Sequence, residues 1–391
     1  MKLAVVHESI DTDGGVETYL LSIIAELRAR GHQIALLYHR SSPARSLLRS
    51  SAHISIGVQE RGLDHAIGAL KAWHPDVCYS HNMGPLEVER ALVTQWPVVK
   101  MLHGFFGTCA SGLKMHAFPS AKVCDRALGP GCLALYFPRR CGKMSAGALV
   151  SGYRWAIDQR ALFPKYKSVV VASRFMRNEV ARNGVASGAI EVLPLFSTMP
   201  APEQALPQPE KDTVLFAGRM TPLKGGHVLI PAIARAAQIL GRRIRLVMAG
   251  DGPQKEAWRT LAASLRVDAE FVGWIGFDDR PSVYARGAVA AVPSLWPEPF
   301  GLVGLDAAAV GRPAVAFDVG GISEWLKDGV NGRLVPPAEG EQGLARALAS
   351  LLDNASERTR MGREAASVSR SMTVAAHVAR LERVLRDAAC R

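Results

Sequence analysis

Short apolar runs separated by polar, glycine-rich breaks recur along the chain. Lys2–His7 is one such run and predicts a strand. Val16–Arg30 carries Leu20, Ile23, Ile24 and Leu27 at helical spacing, and Gly31 ends it. Gln33–Tyr38 predicts the next strand, followed by Val77–Ser80, Pro97–Leu102 and Ser168–Ala172. A second series begins at Thr213–Ala217 and continues with Ile244–Ala249, Glu270–Val272, Val289–Val292 and Ala314–Phe317. Helical patterns over Gly340–Leu352 and roughly Met372–Ala389 close the chain. Strand, loop and helix in alternation predict an α/β protein with parallel, doubly wound sheets.

Two breaks in this rhythm divide the chain. Met199–Lys211 is Pro-rich and reads as a domain linker. The stretch 105–152 carries Pro119, Pro130, Pro138 and several glycines, and reads as an irregular insertion. The expected organisation is a Rossmann-like domain over 1–205 that includes the insertion, and a second over 206–372. A C-terminal helix near 373–391 is expected to pack back on the first. Two domains of one design suggest a cleft between them.

Composition narrows the function classes. The 391 residues are 48% hydrophobic and 7% aromatic, and no apolar run reaches 18 residues. The N-terminal apolar run is short and acids follow closely, so it reads as a strand and not a signal peptide. A cytoplasmic protein is expected. The formal net charge of +12 suits a polyphosphate ligand or an anionic membrane face. No Lys/Arg block with interleaved aromatics appears, so nucleic acid is not an expected partner. Four of the six cysteines, Cys109, Cys124, Cys132 and Cys141, fall in the insertion. No C-x-x-C knuckle is present, which leaves free thiols and a metal site equally open.

Candidate chemistry sits where strands run into helices. Gly14-Gly15 follows the first strand and opens a helix, a place where backbone N–H groups can approach a phosphate. His103 directly follows a strand, at the end that faces the ligand crevice in such sheets. Gly218-Arg219-Met220-Thr221-Pro222-Leu223-Lys224-Gly225-Gly226 is the first strand-to-helix loop of the second series, and its two cations could hold a diphosphate. It does not fit the P-loop pattern. Gly250-Asp251-Gly252-Pro253 lacks the third glycine of a dinucleotide fingerprint. Finally, Trp296-Pro297-Glu298-Pro299-Phe300-Gly301-Leu302 leads into a helix that contains Asp306. If that helix starts near Gly301, Glu298 and Asp306 are expected to project toward one crevice.

Taken in this order, the motifs resemble those of family-4 glycosyltransferases with the GT-B architecture. G-G-V-E-T-Y-L-L resembles the family's first loop and helix, and V-L-F-A-G-R-M-T-P-L-K-G-G its phosphate-binding loop. M-A-G-D-G-P and F-V-G-W-I, with Val272, resemble its nucleotide pocket. P-E-P-F-G-L-V-G-L-D resembles its signature of two acids. The resemblance implies a nucleotide-diphospho-sugar donor, UDP- or GDP-linked, retention at the anomeric carbon, and no required cofactor or metal. It implies that Arg219 and Lys224 neutralise the departing diphosphate. Gly15, Phe300, Gly301 and Leu302 would hold phosphates and sugar, Glu298 the sugar hydroxyls, and His103 would lie near the reacting sugar. Asp306 stands where the family usually has Glu, with a shorter reach to a ribose.

The resemblance implies a glycan or a lipid-linked acceptor, in cell-surface polysaccharide assembly. Leu133, Leu135, Tyr136 and Phe137 beside Arg139, Arg140 and Lys143 suit peripheral contact with the cytoplasmic face of an anionic membrane, and equally a small local core with a charged rim. A nucleotide-sugar epimerase or hydrolase, or a non-catalytic nucleotide-sugar binder, are the alternatives. A dehydrogenase is poorly supported.

Overall fold

The computed structural model describes residues 1–10, 14–41, 47–200, 206 and 208–390. The chain divides into two compact units, Met1–Pro194 with Val374–Arg391, and Leu195–Thr373.

The first unit is built on β1 (Lys2–Ser9), β2 (Gln33–Arg40), β3 (Ile54–Gly57), β4 (Val77–Ser80) and β5 (Val98–Leu102). The short strands β6 (Met115–His116) and β7 (Lys122–Val123) form an antiparallel pair apart from this sheet. β8 (Ser168–Val171) and β9 (Ile190–Val192) complete the main sheet. Its order is β3-β2-β1-β4-β5-β8-β9, and every pairing is parallel. β4 and β5 are buried at every position, as expected for strands covered on both faces. The helix Gly15–Ala29 buries Tyr19, Leu20, Ile23, Ile24 and Leu27 on one side. The helix Val374–Ala389 returns to this unit and buries His377, Val378, Leu381 and Leu385.

The second unit holds β10 (Thr213–Ala217), β11 (Arg245–Ala249), β12 (Asp268–Gly273), β13 (Val289–Val292), β14 (Ala314–Phe317) and β15 (Gly332–Val335). Their order, β12-β11-β10-β13-β14-β15, repeats the winding of the first sheet, again all parallel. In both sheets the winding reverses beside the first strand, between β1 and β4 and between β10 and β13. Doubly wound folds bind ligands at the carboxyl ends of the strands flanking that reversal.

The second unit begins at Leu195, ahead of the Pro-rich stretch, and not at 206. Ser197 and the Thr198 amide are tied to Asp306, and Met199 and Leu206 pack on the core of this unit. Within the expected linker, 201–205 and 207 lie outside the described residues. The insertion is mainly loop, with the β6–β7 pair and a short helix Gly131–Leu135; its last residues already belong to the helix Ala146–Ala161.

Candidate functional site

The carboxyl ends of β10, β11 and β13 meet through glycine. Gly225 adopts a left-handed backbone (φ 73°), and a Cβ there would lie 1.9 Å from the Pro293 carbonyl oxygen just past β13. A Cβ on Gly250 would lie 2.1 Å from the Gly218 carbonyl. No other residue type fits these approaches without moving a loop. Backbone bonds lock the arrangement: the Gly218 amide donates to Ala249 O, the Met220 amide to Asp251 O beside Gly252, and the Leu295 amide to Leu223 O.

This packing brings distant charges together. Lys224 Nζ lies 2.6 Å from Glu298 Oε1, and the same oxygen accepts from Ser294 Oγ at 2.5 Å. Lys224 also sits 5.6 Å from the centroid of the Trp296 ring. Glu298 is buried, and its carbonyl accepts from the Gly321 amide at 2.7 Å, so loop and side chain are both held. Arg219 is exposed and has no ionic partner among the described residues. The helix Leu302–Ala309 begins at Gly301 (φ 84°) with no side-chain cap and no acid in its first turn. Trp325 Nε1 donates to the Phe300 carbonyl at 2.8 Å and fixes the approach to that helix. Two cations, one paired carboxylate and an uncapped helix start can receive an anion with attached hydroxyls.

Asp306 is placed differently from expectation. Glu298 precedes the helix, so its spacing to Asp306 is not a helical one, and the two carboxylates have separate partners. Asp306 Oδ1 accepts from Ser197 Oγ at 2.7 Å and from the Thr198 amide at 3.2 Å. Burial pushes its carboxyl up to about 6, against the opposing pull of these bonds and of Arg280. Val272 packs with the neighbouring apolar core.

In the first unit, Gly14 has φ −102° and Gly15 is not left-handed, so neither conformation demands glycine. A Cβ on Gly15 would meet nothing within 4 Å. The first turn of this helix already contains a carboxylate, Glu17, which lies 3.1 Å from His7 Nε2. His103 stands at the end of β5, its Nε2 2.9 Å from His81 Nδ1. Burial, followed by the nearby His7 and Lys100, pushes His103 down to about 3, so it is a neutral imidazole at physiological pH. His81 is fully buried and also shifted down, first by burial and then by His103. Tyr19 OH links Tyr79 OH and His377 Nε2, both at 2.9 Å. Below them Lys100 lies 2.5 Å from Glu89 Oε1 and 3.1 Å from Ser80 Oγ, all three buried. His81 was missed in the sequence although it follows β4 as His103 follows β5. Ser294 was missed because a lone serine past a strand carries no signal of its own.

The six cysteines are free thiols. Cys109, Cys124, Cys132 and Cys141 line one cavity of about 200 Å³. Among the described residues no group of three or more His, Cys, Asp or Glu is arranged to hold an ion. Burial, first, and the other three thiols push Cys141 up to about 11, which keeps it protonated. Phe118, Leu133, Phe137 and Met144 of the insertion are exposed, with Arg140 5.4 Å from the Phe118 ring centroid. No described helix is long and apolar enough to cross a membrane.

The family model "Glycosyltransferase Family 4" matches residues 13–196, and "Glycosyl transferases group 1" matches residues 211–354. The D-inositol 3-phosphate glycosyltransferase of Corynebacterium glutamicum (strain R) is 37% identical over 186 residues, covering 45% of this chain and 43% of that protein. The chain thus spans less than half the length of the first curated relatives it matches. The phosphatidyl-myo-inositol mannosyltransferase of Mycobacterium leprae (strain TN) is 26% identical over 359 residues, covering 88% of this chain and 86% of that protein. Among solved structures, Anabaena HepE in complex with UDP-glucose aligns with a TM-score of 0.73 at 19% identity, over 99% of this chain and 100% of that one. WaaG, a glycosyltransferase involved in lipopolysaccharide biosynthesis, aligns at 0.69 and 17% identity, over 98% and 99%. The fold is GT-B. The chain carries a glycosyltransferase family 4 domain over 13–196 and a glycosyl transferases group 1 domain over 211–354.

Proposed function

We propose that this chain transfers a sugar from a nucleotide-diphospho-sugar, UDP- or GDP-linked, to a glycan or lipid-linked acceptor with retention of configuration. The observation that carries the reading is the Lys224–Glu298 pair at the carboxyl ends of β10 and β13, next to unpaired Arg219 and the uncapped helix at Leu302. On donor binding, Lys224 turns from Glu298 to the diphosphate, and Glu298 is released to accept from sugar hydroxyls. Arg219 and Lys224 then stabilise the charge that develops on the leaving diphosphate. The amides at the start of the helix Leu302–Ala309, together with Gly301 and the Phe300 backbone, hold phosphate and sugar. Gly218, Gly250 and Gly252 let the nucleotide approach the backbone, with Val272 on its apolar side. His103 is assigned to the reacting sugar by the resemblance alone, as a neutral hydrogen-bonding group. Gly14 and Gly15 keep a phosphate role only by that same resemblance. Asp306 supports the site by holding Ser197 and Thr198. The exposed aromatic and basic side chains of the insertion suit peripheral contact with an anionic membrane, where a lipid-linked acceptor resides.

A thermal-shift panel of UDP, GDP, ADP and dTDP with their sugars, repeated on Lys224→Ala, tests donor binding. One nucleotide should raise the melting temperature of the native chain and leave the variant unmoved. Lys224→Ala should lower kcat/KM by about 10²–10³, the usual effect of removing one charge-stabilising donor. Tight binding with no turnover on any glycan or lipid acceptor would sink the transferase reading and leave a nucleotide-sugar binder.

A further inference from the structure

Half of the sixteen arginines of the second unit form ion pairs with carboxylates. Arg235, Arg242, Arg245, Arg286, Arg333 and Arg346 all form ion pairs with Asp or Glu. One cavity gathers arginines with no carboxylate in its lining. It encloses about 330 Å³ between the helix Ala355–Ser371 and the turn Gly311–Pro313, and four arginines line it: Arg312, Arg358, Arg363 and Arg370. No Asp or Glu is among its lining residues.

The local sequence builds this shape. Gly362 faces the turn so closely that a Cβ there would lie 2.4 Å from Gly311 O, which lets helix and turn touch and form the floor. Arg363 and Arg370 are seven residues apart, on one helix face about 10 Å along the axis. Both are exposed, and neither has a carboxylate partner among the described residues. Arg370 lies in the last helical turn and suits the helix dipole. Arg363 lies mid-helix and gains nothing from that source.

The two inner arginines donate to backbone carbonyls. Arg358 Nη1 donates to the carbonyls of Leu351 and Leu352 at 2.8 and 3.0 Å. Arg312 Nε and Nη2 donate to Ala285 O at 3.2 and 2.8 Å. These carbonyl oxygens fix the guanidinium planes. Burial lowers the Arg312 pKa, as it does for a cation withdrawn from water. Hydrogen-bonded planar forks inside and exposed ones at the rim match a tetrahedral oxyanion better than a solvated surface does.

We propose that this cavity binds a phosphoanion, a phosphate or pyrophosphate group carried by a soluble molecule or by an anionic lipid headgroup. The site is separate from the donor loop at Lys224, since no residue of that loop lines it.

Pyrophosphate titrated calorimetrically into the full chain is the probe for the soluble source. Arg363→Ala/Arg370→Ala should weaken this site about tenfold or more while leaving UDP- or GDP-induced stabilisation unchanged. Both side chains are exposed, so the variant should melt like the native chain. Arg363→Lys/Arg370→Lys keeps the net charge and should still lose affinity, because lysine lacks the bidentate fork. Co-sedimentation with phosphatidylglycerol vesicles against phosphatidylcholine vesicles is the second arm. Loss of phosphatidylglycerol binding in the alanine variant assigns a lipid headgroup; loss of pyrophosphate binding alone assigns a soluble ligand. Unchanged binding in both arms, or a lysine variant equal to native, overturns the proposal.

Discussion

The two units wind their strands in the same order, yet the ends of their central strands are chemically opposite. At β10 and β13 the loops approach one another through glycine, leave Arg219 unpaired and pair buried Glu298 with a partly exposed Lys224. At β4 and β5 the charges are sealed: Lys100 and Glu89 are 2% and 0% exposed, and Ser80 bridges them. Around them the imidazoles of His81 and His103 are neutral. The same topology thus provides one end with a cation available to an anion and one whose ion pair is closed off in the core. An ion pair in the first is a latch; in the second it is part of the core.

That contrast is broken most directly at Glu89. Glu89→Gln leaves the Lys100 ammonium buried without its counter-charge, and should cost about 3–5 kcal/mol in urea unfolding. It also weakens the acceptor for Tyr166 OH, 3.1 Å from Glu89 Oε2. Replacing both partners, as Lys100→Met with Glu89→Leu, should recover much of the loss, because an apolar pair of similar volume has no ion to desolvate. Lys224→Ala should do the reverse, sparing stability and removing turnover. A Glu89 variant as stable as the native chain would show that the sealed pair is not a core element.

A smaller effect separates the glycines of the two units. Gly225→Ala must enter a left-handed backbone and displace the Pro293 carbonyl, which should cost about 2–3 kcal/mol and loosen nucleotide binding with it. Gly15→Ala meets open space and a permissive backbone in the first turn of a helix, and should be neutral or stabilising by a few tenths of a kcal/mol. Melting temperature and nucleotide-induced shift, measured on both, decide the point. Weakened nucleotide binding by Gly15→Ala at unchanged stability would restore a phosphate role to the first loop.

What could be read from the sequence follows the same physics. The central strands were legible because burial on both faces makes them continuous apolar runs. Three of the four edge strands were not: Ile54–Gly57, Ile190–Val192 and Gly332–Val335 are short and partly polar, since one side is open. The loop at 218–226 and the Glu298 segment stood out because cations beside glycines are uncommon in a mere turn. The Lys224–Glu298 pairing did not, as it joins residues 74 apart through a contact only the folded sheet creates. Nor did the cavity at Arg312 and Arg363, whose members lie on different elements and show no motif.

Asp306 gives the most delicate test, because the sequence placed it with Glu298 and the structure places it with Ser197 and Thr198. Its carboxyl is raised to about 6 in the folded state, from an ordinary 3.8. The protonated form is therefore the one the fold prefers. Its stabilising contribution is complete below about pH 4 and is lost as pH rises through about 6. Asp306→Asn keeps an oxygen that can accept from Ser197 Oγ and the Thr198 amide, but it does not ionise. The variant should gain on the native chain across that window and be more stable by about 1–2 kcal/mol near pH 7, the full shift being reduced by the amide's own N–H groups. Urea unfolding near pH 4 and pH 7 measures the gap. If the carboxylate instead holds a ribose, Asp306→Asn will weaken nucleotide binding at every pH where the native residue is charged, and the stability gap will not appear. A gap of the predicted sign with nucleotide affinity unchanged would fix Asp306 as a strut behind the donor loops and leave Glu298 as the acid that meets the sugar.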